Sequence, residues 1–106
     1  MNTPPLDEQA LTEADLQRIH EALFAQLITS HAHNAMILLG RCPDPETDQV
    51  RNPDPEAAKI YVDQLEMLEA KTRGNLGPDE TDLLARMLRV TRSALAGAID
   101  AAGGHS

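Results

Sequence analysis

The stretch EADLQRIHEALFAQLITSHAHNAMILL, from Glu13 to Leu39, decides the fold. Its 27 positions hold neither Pro nor Gly, the two residues that oppose a helix most strongly. Thr12 precedes it and Gly40 follows it. The Thr12 hydroxyl can accept from the third helical amide, while Glu13 and Asp15 set negative charge against the positive end of the helix dipole. Gly40 supplies the left-handed residue with which helices commonly stop. The pattern predicts one helix over 13–39, about 40 Å long at 1.5 Å per residue.

The apolar residues of this helix occupy two adjacent faces. Leu16, Ile19, Leu23, Leu27 and Leu38 share one, and Phe24, Ile28, Ala32, Ala35 and Leu39 share the other. At 100° per residue the two together span roughly 220°, more than the single face a surface helix buries. Beyond Gly40, residues 41–54 (RCPDPETDQVRNPD) form a proline-rich loop in which Pro-Asp-Pro-Glu occurs at 43–46 and begins again at 53–56. In the second copy Asp54 caps a helix and Pro55 takes its first position, where a missing amide costs nothing. A second helix is predicted over 55–73, with Lys71 and Arg73 at its negative end and Gly74 as its stop. Pro78 opens a third over 78–102, loaded at its start with Asp79, Glu80 and Asp82.

No segment alternates as a strand would, so the fold class is all-α: a long N-terminal helix packed on an antiparallel helical hairpin. Ala57, Tyr61, Leu65 and Leu68 make the stripe of helix two, and Leu84, Met87, Leu88, Leu95 and Ala98 that of helix three. Residues 12–102 form one domain. Residues 1–11 read as a disordered polar tail and 103–106 as a frayed end.

Composition narrows the function. Hydrophobic residues are 42% of the chain but Phe, Tyr and Trp together only 2%, represented by Phe24 and Tyr61 alone. A core so poor in large side chains is expected to be completed by a partner, a second copy included. Nine Lys+Arg against 17 Asp+Glu leave a formal net charge of −8. Two lysines and seven dispersed arginines cannot present the basic patch that nucleic acid needs, whereas an acidic exterior suits a basic protein partner. Cys42 is the only cysteine, which fits a reducing compartment and a cytoplasmic location. The N-terminus has no apolar run of the signal-peptide kind. The stretch 22–39, broken by Gln26, Thr29, Ser30, His31, His33 and Asn34, is too polar to span a membrane.

The run Pro43-Asp44-Pro45-Glu46-Thr47, then Ala57-Ala58-Lys59, then Asp63 to Leu76 (DQLEMLEAKTRGNL) resembles the bacterial DUF1844 family over about residues 24–98. The resemblance implies a helix ending in Leu-Gly, a PDPET-like loop and a second helix closed by Gly-Asn-Leu. It implies no chemistry, since the family is functionally uncharacterised. Gly77 stands where that family usually has a Thr or Ser cap, and Asp48 where Gly often follows PDPET.

Each candidate site has a plainer reading. His20, His31 and Cys42 are possible metal ligands by type, but His20 and His31 lie about 16 Å apart along the helix axis at 1.5 Å per residue. A shared metal would therefore need a subunit boundary, and no cofactor is expected within one chain. His33 is two residues from His31 and should point to the opposite side, into solvent. Asp44, Glu46 and Asp48 alternate as in a calcium loop, yet Gln49 replaces the required Gly and Pro55 the closing Glu. Gly74-Asn75-Leu76-Gly77 matches a nucleic-acid-binding GXXG loop without its sheet or basic rim. No nucleophile has a base at useful spacing, and no Gly-rich phosphate loop is present, so no enzymatic activity is expected.

The reading that fits best is an acidic helical interaction module that self-associates, most simply as a dimer. The expected interface is Phe24, Ile28, Ala32, Ala35 and Leu39, left open once the hairpin covers the other face. Ala32 and Ala35 would there let two backbones approach. Folding back of the N-terminal tail, with Leu6 and Leu11, is the competing cover. A small helical protein binding metal or ligand through His20, His31 and Cys42 at a subunit boundary is the alternative function.

Overall fold

A computed structural model describes residues 12–103; the readings of residues 1–11 and 104–106 as tails lie outside them. The described chain is three helices, α1 Glu13–Leu38, α2 Pro55–Thr72 and α3 Pro78–Gly103, with no strand among the described residues. Two boundaries fall one residue short of expectation, because Leu39 and Arg73 are C-cap residues rather than the last helical ones. Gly103, expected in the frayed end, closes α3.

Local chemistry accounts for each start. Thr12 and Asp15 form a capping box: the Asp15 amide donates to the Thr12 hydroxyl at 3.1 Å and the Thr12 amide to the Asp15 carboxylate at 3.2 Å. Asp54 accepts from the Ala57 amide at 3.2 Å, with Pro55 directly behind it. At α3 the cap is inverted. Gly77 has no side chain to offer, and the Gly77 amide instead donates to the Glu80 carboxylate at 2.8 Å. That is the returning half of a capping box, and it makes good the missing Thr or Ser. Asp54→Ala should therefore cost about 1 kcal/mol, measured by urea unfolding, whereas a substitution at the exposed first turn of α1 should only fray that end.

Gly40 (φ +73°) and Gly74 (φ +87°) both hold the left-handed conformation just past a helix. The loop after Gly40 is anchored at both ends on α1: the Arg41 amide donates to the Met36 carbonyl at 2.9 Å, and the Asp54 amide to that of Leu38 at 2.7 Å. Within it, the Asp44 carboxylate accepts from the Glu46 amide at 2.9 Å, and Asp48 takes a positive φ of 60°. This is turn chemistry of the Asx kind.

Each helix packs against the other two, and the core has two parts. Ala35 of α1 and its C-cap residue Leu39 meet Ala58, Val62, Ala94, Leu95 and Ala98. Ile28 and Ala32 meet Leu65, Leu84 and Leu88, with Phe24, Leu68, Leu76, Leu83 and Met87 packed around them. Thr91 is the one polar residue fully buried among those described; its hydroxyl donates within its own helix to the Met87 carbonyl at 2.8 Å. On α2 the buried line runs through Ala58, Val62 and Leu65, with Ala57, Tyr61 and Leu68 half-buried at its edge.

This packing corrects the expected interface. Ile28, Ala32, Ala35 and Leu39 are buried within the chain and Phe24 is half-buried, so the face assigned to a second copy is the one that α2 and α3 cover. The reason is steric. Ala32 and Ala35 project little, so both other helices can approach α1 there, while Ile28 and Leu39 fill the space on either side. The small residues expected to admit a partner's backbone admit the chain's own.

Candidate functional site

What remains open is the other face of α1. Leu16, Ile19, Leu23 and Leu27, expected under the hairpin, are 41, 43, 56 and 43% exposed. At 100° per residue they lie within an arc of roughly 80°, a continuous stripe. The α2–α3 loop passes α1 at Glu21: a Cβ on Gly77 would stand 3.6 Å from Glu21 Oε2. Before that point α1 runs on alone, and of residues 12–20 only Asp15 is even half-buried. Leu38, the fifth member of the expected face, lies apart from the stripe, half-buried beneath the 41–54 loop with the buried Ile37 beside it.

Past Leu27 the stripe meets a shallow groove lined by Leu23, Gln26, Leu27, Ser30, His31 and Asn34. His31 is half-buried at its edge. Its Nδ1 donates to the Leu27 carbonyl at 3.1 Å, and its ring meets Tyr61 of α2 edge to face, centroids 5.6 Å apart and planes at 72°. The imidazole thus closes the seam between α1 and α2. Polar groups near the stripe are occupied locally: Arg18 pairs with Asp15, and Gln17 donates to Glu21 at 3.5 Å.

The other candidates are not brought together. His20 and His33 are exposed, Cys42 is half-buried in the loop, and the described residues hold no group of three or more His, Cys, Asp or Glu able to take a metal. The GXXG residues connect two helices. Charge pairing elsewhere is on the surface: Arg92 with Glu66 at 2.9 Å joins α3 to α2, and Lys59 with Asp63 at 2.8 Å lies along α2. The hydrogen bond to Asp63 and its charge hold the Lys59 ammonium above its usual pKa. No helix among the described residues is long and apolar enough to cross a membrane.

The architecture is that of a small three-helix protein with one uncovered aliphatic helix face and no assembled set of reactive groups among the described residues. Residues 21–96 match the family described as Domain of unknown function (DUF1844), and the chain belongs to that family. No curated protein sequence and no solved structure matches it. The matched segment begins at the point where α1 passes the α2–α3 loop, so Leu16 and Ile19 lie outside it while Leu23 and Leu27 lie inside.

Proposed function

We propose that the chain is a non-catalytic interaction module: α1 packs on an antiparallel hairpin of α2 and α3, and self-associates through its open stripe. The observation that carries this reading is the exposed row Leu16, Ile19, Leu23 and Leu27, whose first two members stand on a helix end that no other part of the described chain accompanies. A second copy suits it for a geometric reason. Two such stripes laid antiparallel about a two-fold axis near residues 21–22 set each projecting α1 end beside the Leu23–Asn34 groove of the other, and every residue is used twice.

The magnitude is decisive for what to expect. Fully burying a Leu or Ile is worth about 1.5–3 kcal/mol, so four half-exposed side chains on each of two copies gain on the order of 6–12 kcal/mol. Association costs an estimated 4–15 kcal/mol. The surplus is small, and the dimer should be concentration-dependent. Since each copy carries −8, added salt should strengthen it by screening repulsion.

Light scattering after size exclusion tests this. The parent should pass from monomer to dimer as its concentration rises through the micromolar range. Leu23→Asp should remain monomeric throughout while melting close to the parent, because its site is solvent-exposed. A parent monomeric at high micromolar concentration in moderate salt, or a Leu23→Asp chain that dimerises equally well, sinks the reading.

A further inference from the structure

The net charge of −8 conceals a local exception on the far side of α1 from the stripe. Met36 of α1, Arg41 just past it, and Arg89, Val90, Ser93 and Ala94 of α3 line an open groove of about 370 Å³. The described residues form three ion pairs, Arg18–Asp15, Lys59–Asp63 and Arg92–Glu66. Neither Arg41 nor Arg89 belongs to any of them. Two guanidinium groups with no carboxylate partner among the described residues thus border one groove on a chain rich in carboxylates.

The seat of Arg41 is built into α3. Gly97 stands in the interior of that helix, where glycine is among the poorest residues for stability. A Cβ placed on Gly97 would lie 3.4 Å from Arg41 Nη2, its nearest neighbour there. The guanidinium thus lies over position 97 with room beneath it for no more than a methyl, close against the helix that carries Arg89 and Ser93.

We propose that this groove is an anion-binding site for a small organic phosphate. Arg41 and Arg89 would supply forked N–H donors that match phosphate oxygens, and the Ser93 hydroxyl a further donor. Met36, Val90 and Ala94 make the floor, apolar enough to receive a short hydrocarbon or ring attached to the phosphate. The whole-chain charge repels polyanions at long range, which favours a ligand of one or two charges over a nucleic acid or an anionic membrane. The site shares no residue with the open stripe of α1 and stands whether or not the chain dimerises.

The full chain, labelled for amide NMR, should be titrated with phenyl phosphate, with inorganic phosphate and with phenol. Phenyl phosphate should give saturable shifts confined to Arg41, Arg89, Val90, Ser93 and Gly97, inorganic phosphate the same pattern at several-fold weaker affinity, and phenol none. Arg41→Gln and Arg89→Gln should each weaken phenyl phosphate at least fivefold, while Arg18→Gln leaves it unchanged. Gly97→Leu separates site from fold: a better helix former at an exposed position, it should not lower the melting temperature, yet a side chain longer than a methyl has no room beneath Arg41 Nη2 and should weaken binding by displacing that guanidinium. The proposal is overturned by shifts spread over all seven arginines, by no saturation at millimolar ligand, or by an Arg41→Gln/Arg89→Gln chain that binds like the parent.

Discussion

Ile28→Asp should leave the chain without a cooperative thermal transition. Ile28 is 0% exposed, clustered with Ala32, Leu65, Leu84 and Leu88 where all three helices meet, with Phe24, Leu68, Leu76, Leu83 and Met87 packed around them. Removing the isoleucine alone costs about 2–5 kcal/mol through lost transfer energy and the cavity it leaves. The carboxylate adds several more, since it takes a charge out of water into a cluster of aliphatic side chains. Together these rival the 5–15 kcal/mol by which a whole domain is typically stable. Far-ultraviolet circular dichroism against temperature reads the outcome. A sigmoidal melt within a few degrees of the parent would falsify the assignment of Ile28 to the interior. The same charge at Leu23, five residues earlier on the open stripe, should alter oligomeric mass and leave the melt nearly in place.

A larger loss than its size suggests is expected for Gly40→Ala. The backbone there has φ +73°, and an added Cβ would meet the Arg51 carbonyl oxygen at 2.7 Å and Pro53 Cγ at 3.5 Å. The obstructing atom is backbone, in a loop held by the Asp54 amide on the Leu38 carbonyl, so it cannot rotate aside as a side chain would. Left-handed strain and forced overpacking together should cost about 2–4 kcal/mol. Gly74→Ala supplies the control: φ is +87° but nothing lies within 4 Å of the added carbon, and strain alone predicts a loss of about 1 kcal/mol. Urea unfolding midpoints give both values. Equal losses at the two positions would show that the loop yields and that the close approach at Gly40 is not a constraint.

The helices were legible because their signals are local. Thr12, Asp54, Pro55 and Pro78 each act within one turn of their own position, and so do Gly40 and Gly74. Even the departure at Gly77 was compensated three residues away, by Glu80, well inside the window that sequence reading covers. The aliphatic stripes of α2 and α3 were readable for a similar reason: each helix has one apolar arc, so its orientation follows from periodicity alone, to within the shift from Ala57 and Tyr61 to Ala58 and Val62.

The open face of α1 was not readable in that way, because α1 has two apolar arcs and periodicity treats them alike. One signal in the chain could have chosen between them. The loop returns to the end of α1 at Leu38, and α2 is 18 residues long against 26 for α1. A helix running back from Leu38 for about 27 Å at 1.5 Å per residue ends near Glu21, so Leu16 and Ile19 could never have been covered by it. Length and connection would then have marked the first two turns of α1 as unaccompanied.

By itself, then, the sequence determined the all-α class, the three helices and their caps, since these depend on hydrogen bonds and dihedral preferences that span a few residues. Only the tertiary structure decided which arc of α1 lies inside and that Arg41 rests on Gly97. Both are settled by how closely two helices can approach at a given point, and that closeness depends on side chains 30 to 60 positions apart, among them Ala32, Ala35, Leu65, Leu88 and Gly97.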